Sequence, residues 1–330
     1  MIARLKGALD PYIAALLGTV LLASLVPARG AMAGWVEFAS NAGIVLLFFL
    51  HGAKLSREAI VAGAGNWRLH LATLGTTFVV FPLFGLVIGA VPGLPAVIAT
   101  GVLFLTLLPS TVQSSIAFTS IAGGNVAAAV CSASFSNLLG IVVTPLLAAA
   151  LMGGTGAGMS WGAVEKILLQ LLVPFVAGHL LRPLIGGWVG RHRPLVSYVD
   201  RGSILLVVYA AFSAAVVEGL WQKVPAGVVG LILLVCAALL GVVLGFTWML
   251  GKGLGLPRVD RVVLLFCGSK KSLASGVPIA GVLFAPAQVG AVILPVMVFH
   301  QIQLIACAVI ARAMADRNLS DHAARGKVSS

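Results

Sequence analysis

Apolar runs long enough to cross a bilayer alternate, along the 330 residues, with short clusters of proline, glycine and charge. The runs predict ten helices, at about 10–27, 36–54, 69–91, 94–121, 125–151, 164–184, 199–220, 225–250, 260–285 and 289–313. Between them lie Val26-Pro27-Ala28-Arg29-Gly30, Val91-Pro92-Gly93, the glycine-rich stretch 153–162 and Arg191-His192-Arg193-Pro194, residue types that end helices. None of these separators could fold as a soluble domain. The first run opens on Asp10-Pro11, as helices do. Reading it as a signal peptide, with Arg4 and Lys6 ahead of it and Ala31-Met32-Ala33 as the cleavage site, would remove a helix that the symmetry below requires. The chain is therefore expected to form one transmembrane domain over 1–313, followed by a polar, disordered cytoplasmic tail at 314–330.

Two runs are interrupted. The ninth, Val262–Ala285, is 24 residues long and carries Lys270 and Lys271 near its middle, with Ser269, Ser272 and Ser275 around them and Gly268 and Gly276 at the flanks. One lysine at a helix centre costs about 2.5 to 3.5 kcal/mol on insertion scales. A pair persists where it faces a polar cavity, a partner or a ligand. The fourth run is broken by Leu108-Pro109-Ser110-Thr111-Val112-Gln113-Ser114-Ser115, where Pro109 removes a backbone donor and frees carbonyls in the turn before it. Ten spans divide into repeats at about 10–151 and 164–313, and five helices per repeat make the second run inverted relative to the first. The two breaks then occupy corresponding positions, the arrangement that marks a transporter site. Broken helices turn their N-terminal ends toward anions and their C-terminal carbonyls toward cations.

Composition fixes the class. The chain is 60% hydrophobic and 9% charged, far below the charge content of a soluble domain. Its net charge of +12 reflects membrane orientation rather than nucleic-acid binding. With the N-terminus inside, sixteen of the 21 Lys and Arg fall on inner loops and tails, and only Arg29, Lys166 and Lys223 fall outside. Both ends are thus expected in the cytoplasm, with the chain in the plasma or inner membrane. Cys131, Cys236, Cys267 and Cys307 lie inside apolar runs and read as small buried hydrophobes. No metal or nucleotide motif appears, and the acidic residues stand at or near span ends, so no cofactor, no metal and no enzyme activity are expected. His300, with Gln301 and Gln303 in the tenth run, either relays protons or is a hydrogen-bonded histidine packed between helices.

With these residues quoted, the chain resembles the bile acid:sodium symporter family, and most closely its SBF-like subgroup. Phe48-Phe49-Leu50-His51-Gly52, Leu55-Ser56 and the Leu108–Ser115 stretch carry the likeness, which covers roughly 10–313. The resemblance implies an all-α fold of two inverted five-helix repeats, with helices 4 and 9 broken and crossing in a core domain that moves against a panel domain. It also implies uptake of organic anions coupled to sodium. Carried over residue by residue, Pro109 and Ser114 match the family's fourth-helix break, Ser115 replaces an asparagine, and Asn125 matches an asparagine that opens helix 5. In the ninth helix the family's glutamate falls on Phe266, its glutamine on Lys270, its asparagine on Lys271 and its serine on Ser272. A carboxylate has been lost and two ammonium groups gained, which argues against sodium and for protons as the coupling ion.

The expected function is secondary transport, by alternating access, of a small charged solute, foremost an organic anion. The alternatives are a cation/proton exchanger and a channel or regulator of membrane ion balance. The candidate site is Pro109, Ser110, Thr111, Gln113, Ser114, Ser115, Asn125, Gly268, Ser269, Lys270, Lys271 and Ser272, with His300 as a proton relay. On a helix, adjacent residues point about 100° apart, so one lysine of the pair is expected to carry the site. Lys270 is expected to stand in for a bound cation against half-helix carbonyls.

Overall fold

A computed structural model describes residues 11–54, 65–152 and 161–326, and every regular element in them is helical. Leu55-Ser56, most of the glycine-rich connector and the last four residues lie outside the described residues. In chain order the helices are α1 (Pro11–Leu25), α2 (Ala31–Lys54), α3 (Trp67–Gly89), α4a (Ala96–Leu107), α4b (Gln113–Ile121) and α5 (Val126–Met152). They continue with α6 (Trp161–Arg191), α7 (Arg193–Val217), a single helical turn at Leu220–Lys223, α8 (Ala226–Gly253), α9a (Arg258–Gly268), α9b (Leu273–Leu283) and α10 (Pro286–Gly326). Among the described residues, eight helices are long and apolar enough to cross a membrane, counting α9a and α9b as one, while α1 and α4a are shorter apolar helices. Leu21, Trp35, Leu180, Leu234 and Met249 are exposed, forming an apolar exterior suited to lipid. All four cysteines are buried and free.

The helices overrun the apolar runs at several ends. α2 begins at Ala31 rather than 36, α6 continues to Arg191, and α7 follows after His192 alone. Apolar length measures the hydrocarbon slab, whereas a helix continues into the interface until a residue stops it. The polar stretch after 313, expected to be disordered, is helical as far as Gly326. Its Ala, Arg and Met are good helix formers, and no glycine or proline intervenes.

The helices pack in two groups that are joined where α7 lies against α10 and α9b, and α6 against α5. α2 lies against α6 and α7, and α1 against α7. α3, α4, α5, α8, α9 and α10 form the second group around α9a and α9b. Within the apolar window of α9, 94% of residues are buried, against 17% in that of α6, so α9 is the interior element and α6 a peripheral one. In the first group, α2 and α6 touch backbone to backbone. A Cβ on Gly52 would stand 1.9 Å from the Phe175 carbonyl oxygen, and a Cβ on Gly178 would stand 1.9 Å from that of Phe49. Glycine is required at both positions.

α3 contains one wide turn. Residues Thr76–Val80 are π-helical, and the Phe81 N–H donates to the Thr76 carbonyl, passing over that of Thr77. The next residue, Pro82, has no N–H to offer. The Thr77 carbonyl therefore has no donor in its own helix and needs one from elsewhere.

Candidate functional site

The two breaks meet. Helix is absent from 108–112 in α4 and from 269–272 in α9, and each break supplies the partners that the other lacks. Pro109 cannot donate, and the Ser110 N–H turns away to the Ser136 hydroxyl, 2.9 Å off, so the last carbonyls of α4a are orphaned. They are satisfied one by one. Lys271 Nζ donates to the carbonyls of Thr106 and Leu108, both at 2.7 Å. The Thr144 hydroxyl donates to Leu107 O at 2.8 Å, the Ser272 N–H to Pro109 O at 2.8 Å, and Asn137 Nδ2 to Ser110 O at 2.7 Å. In the other direction, the hydroxyls of Ser110 and Ser115 donate to the carbonyls of Cys267 and Phe266 at the end of α9a, at 2.5 and 3.0 Å. Gln303 clamps the α9 break by accepting from Lys271 N at 2.9 Å and donating to Lys271 O at 2.8 Å. Buried polar groups must be paired, and this crossing pairs them across two helices.

Because the backbone is unwound at 269–272, both lysines can be buried at once and point to different partners. Lys271 Nζ has a third acceptor, Thr77 O at 2.8 Å, and lies 4.1 Å from the centre of the Phe81 ring. Holding half-helix carbonyls, the part expected of Lys270, falls by geometry to Lys271. Lys270 Nζ instead donates to the Ser114 hydroxyl at 3.1 Å and lies 4.5 Å from the centre of the Phe118 ring. From Ser114 the hydroxyls run on through Thr111, at 3.0 Å, to Ser115, at 2.8 Å.

A cavity of about 520 Å³ lies between the two helix groups. Its inner end is formed by Pro109, Thr111, Gln113, Ser114, Ser272, Ser275, Asn137 and His300. The first turns of α4b and α9b thus open onto it, N-terminus first, an arrangement that favours negative charge. Its far end is formed by Tyr12, His51, Lys54, Asp200 and Arg201. Lys54 is ion-paired with Asp200, and the Arg201 guanidinium lies 5.2 Å from the centre of the Tyr12 ring. The wall between is apolar, with Leu47, Phe48, Ile141, Phe175, Ile204 and Ile279. A second cavity of about 110 Å³, lined by Glu37, Ser40 and Asn41 among others, lies at the opposite ends of α2 and α7.

Of the residues singled out in the sequence, Pro109, Thr111, Gln113, Ser114, Ser272 and His300 line the large cavity. Ser110, Ser115, Ser269, Lys270 and Lys271 are buried in the crossing behind it. Gly268 packs against Thr247 of α8, where a Cβ would meet its methyl at 3.2 Å. Asn125 is elsewhere: it donates to Asp260 at 3.0 Å and caps α5 by accepting from Ala128 N at 3.1 Å. Asp260 also accepts from Asn66 at 2.6 Å. His300 Nδ1 pairs with Gln303 Nε2 at 2.8 Å, so it reaches the α9 break through the clamp. Asn137 and the wide turn of α3 were not singled out, and Gln303 was named only as a neighbour of His300. The available signal was polarity inside an apolar helix: Asn137 closes a run with Ser132, Ser134 and Ser136, and Gln303 follows His300 and Gln301.

Residues 10–316 match the SBF-like CPA transporter family. The chain belongs to that family. It is 54% identical over 312 residues to "Uncharacterized protein PA2026" of Pseudomonas aeruginosa, with 93% of each chain covered. It is 52% identical over 311 residues to "Putative symporter YfeH" of Escherichia coli, with 94% of each covered. To "Sodium/bile acid cotransporter 7" of Rattus norvegicus it is 25% identical over 272 residues, covering 81% of this chain and 80% of the relative. Membership of the SBF-like CPA transporter family makes this chain a multi-pass membrane transporter of the secondary type rather than an enzyme.

Proposed function

We propose that this transporter carries a small organic anion by alternating access, coupled to protons and not to sodium. The observation that carries the reading is the cavity. Two helix N-termini and the Lys270-backed Ser114 hydroxyl stand at its inner end, cationic groups at its far end, and an apolar wall between. Such a lining suits a solute with an apolar body and an anionic group. The name of the rat relative, a sodium/bile acid cotransporter, supports an organic anion. The ammonium groups where a cation would be held speak against sodium.

In this reading α1–α5 and α6–α10 are inverted repeats within one domain over 1–313, with 314–330 as a tail. The group containing α2 and α6 is the panel and the group around α9 the core. Both chain ends are cytoplasmic in the cell membrane, which turns the large cavity inward, since Tyr12 and Lys54 stand at helix ends on that side. Pro109, Ser110, Thr111, Gln113, Ser114, Ser115, Ser269, Lys270, Lys271 and Ser272 form the working crossing, and Asn125 supports it from the base of α5.

The test is uptake into proteoliposomes of taurocholate and of smaller aliphatic and aromatic carboxylates. Uptake should saturate, exchange in counterflow, follow an imposed pH gradient, and be unchanged when choline replaces sodium. Sodium-dependent uptake removes the coupling half of the proposal. Unsaturable, anion-indifferent conductance removes the transporter half.

A further inference from the structure

The Lys271 ammonium occupies a place built for a cation. Its three acceptors, Thr77 O, Thr106 O and Leu108 O, lie at 2.8, 2.7 and 2.7 Å. Each is a carbonyl that its own helix has released: Thr77 by the wide turn and Pro82, Thr106 by the diversion of Ser110 N–H to Ser136, and Leu108 by the extended backbone before Pro109. An ammonium has three donors and no acceptor, so three carbonyls match it completely, while a neutral amine would turn a lone pair toward one of them. The face of Phe81, 4.1 Å away, adds a fourth side attractive to positive charge. Lys271 is fully buried and does not line the large cavity.

We infer that these three carbonyls and Phe81 form a monovalent-cation site whose occupant is the chain's own lysine. The charge that holds the ends of α4a and the α9 break together is tethered, so no soluble cation enters or leaves this site. The consequence for coupling rests on the transporter reading; the site itself rests on the geometry.

Lys271→Ala deletes a fragment equivalent to n-propylammonium and leaves the carbonyls in place. The experiment compares melting of full-length wild type and Lys271→Ala in detergent, in chlorides of n-propylammonium, methylammonium, sodium and tetramethylammonium at equal concentration. Tetramethylammonium has no N–H and is too large for the cage. The variant should melt roughly 5 °C higher in a small cation than in tetramethylammonium when the cation is well above its dissociation constant, while the wild type is indifferent. Equal melting of the variant in all four salts overturns the inference. So does a variant that fails to fold in every salt, since a cation site must accept a free cation. A wild type that is itself stabilised by small cations over tetramethylammonium also overturns it, because its site is then not filled. Melting in detergent is read without any solute being carried, so failure here leaves the proposed transport untouched, and failure of anion uptake leaves the cage untouched.

Discussion

The break in α4 brings Thr111, Gln113 and Ser114 to the cavity, whereas the break in α9 keeps both of its ammonium groups out of the lining. The two segments have similar lengths of unwound backbone and lie against one another, yet they do different work. Thr111, Gln113 and Ser114 are neutral groups that can meet a solute and let it go. Lys271 is bound to three carbonyls of the α4a and α3 backbone, and its removal leaves all three without a donor. The most charged part of a membrane interior is here a fastening, and the cavity lining beside it is uncharged and borrows its potential. Lys270 stands between these roles, one hydroxyl away from the cavity.

That difference predicts an order of effects. The largest belongs to Lys271→Met, which abandons three buried carbonyls at a cost of about 1 to 3 kcal/mol each. Its unfolding free energy should fall by about 3 kcal/mol or more, against about 1 kcal/mol for Lys270→Met, which deprives only Ser114 of a donor. Chemical or thermal unfolding of the two variants measures this, and the reverse order would break the comparison.

A smaller effect, on transport rather than stability, should follow from Ser114→Ala. It cuts the connection between Lys270 and the cavity, and anion uptake should drop about tenfold, equivalent to roughly 1.4 kcal/mol. Ser110→Ala faces away from the cavity and should lower the melting temperature while leaving the KM for the anion near the wild-type value. A Ser110→Ala protein with a raised KM and unchanged melting would reverse the assignment of lining and fastening.

The smallest effect belongs to the cavity's far end. Lys54 and Asp200 are 34% and 18% exposed, so their pair contributes at most about 1 kcal/mol, and Asp200→Asn should scarcely change stability. It releases Lys54, so the anion KM should fall a few-fold at low salt and return toward the wild-type value as salt screens the charge. A KM that rises at every ionic strength would show Asp200 to be needed for the solute itself.

The course of the chain was legible because it rests on apolar length, and both breaks were legible because each puts polar residues where lipid penalises them. The residues that make the breaks a working crossing were harder to read. Which lysine did what depended on the unwinding of 269–272, since the 100° rule applies only where a helix persists. The third acceptor of Lys271 arises from a shift in hydrogen-bond register at Thr76–Val80, and such a shift leaves no compositional trace beyond Pro82. Asn137 and Gln303 are long-range partners, acting on residues well separated in the chain. The likeness of Asn125 to a family position was carried by sequence, and the residue sits in the Asp260 cluster at the base of the core.

The reciprocal contact of Gly52 with Phe175 and Gly178 with Phe49 has a kinematic consequence. Each helix carries a tooth of backbone set in a notch of the other, and two such engagements in opposite senses oppose both sliding and rolling along the α2–α6 seam. That pair is a single beam. The cavity's apolar wall includes Phe48 and Phe175, one from each helix of the beam, so these two side chains hold a fixed relation to one another whatever the width of the cavity.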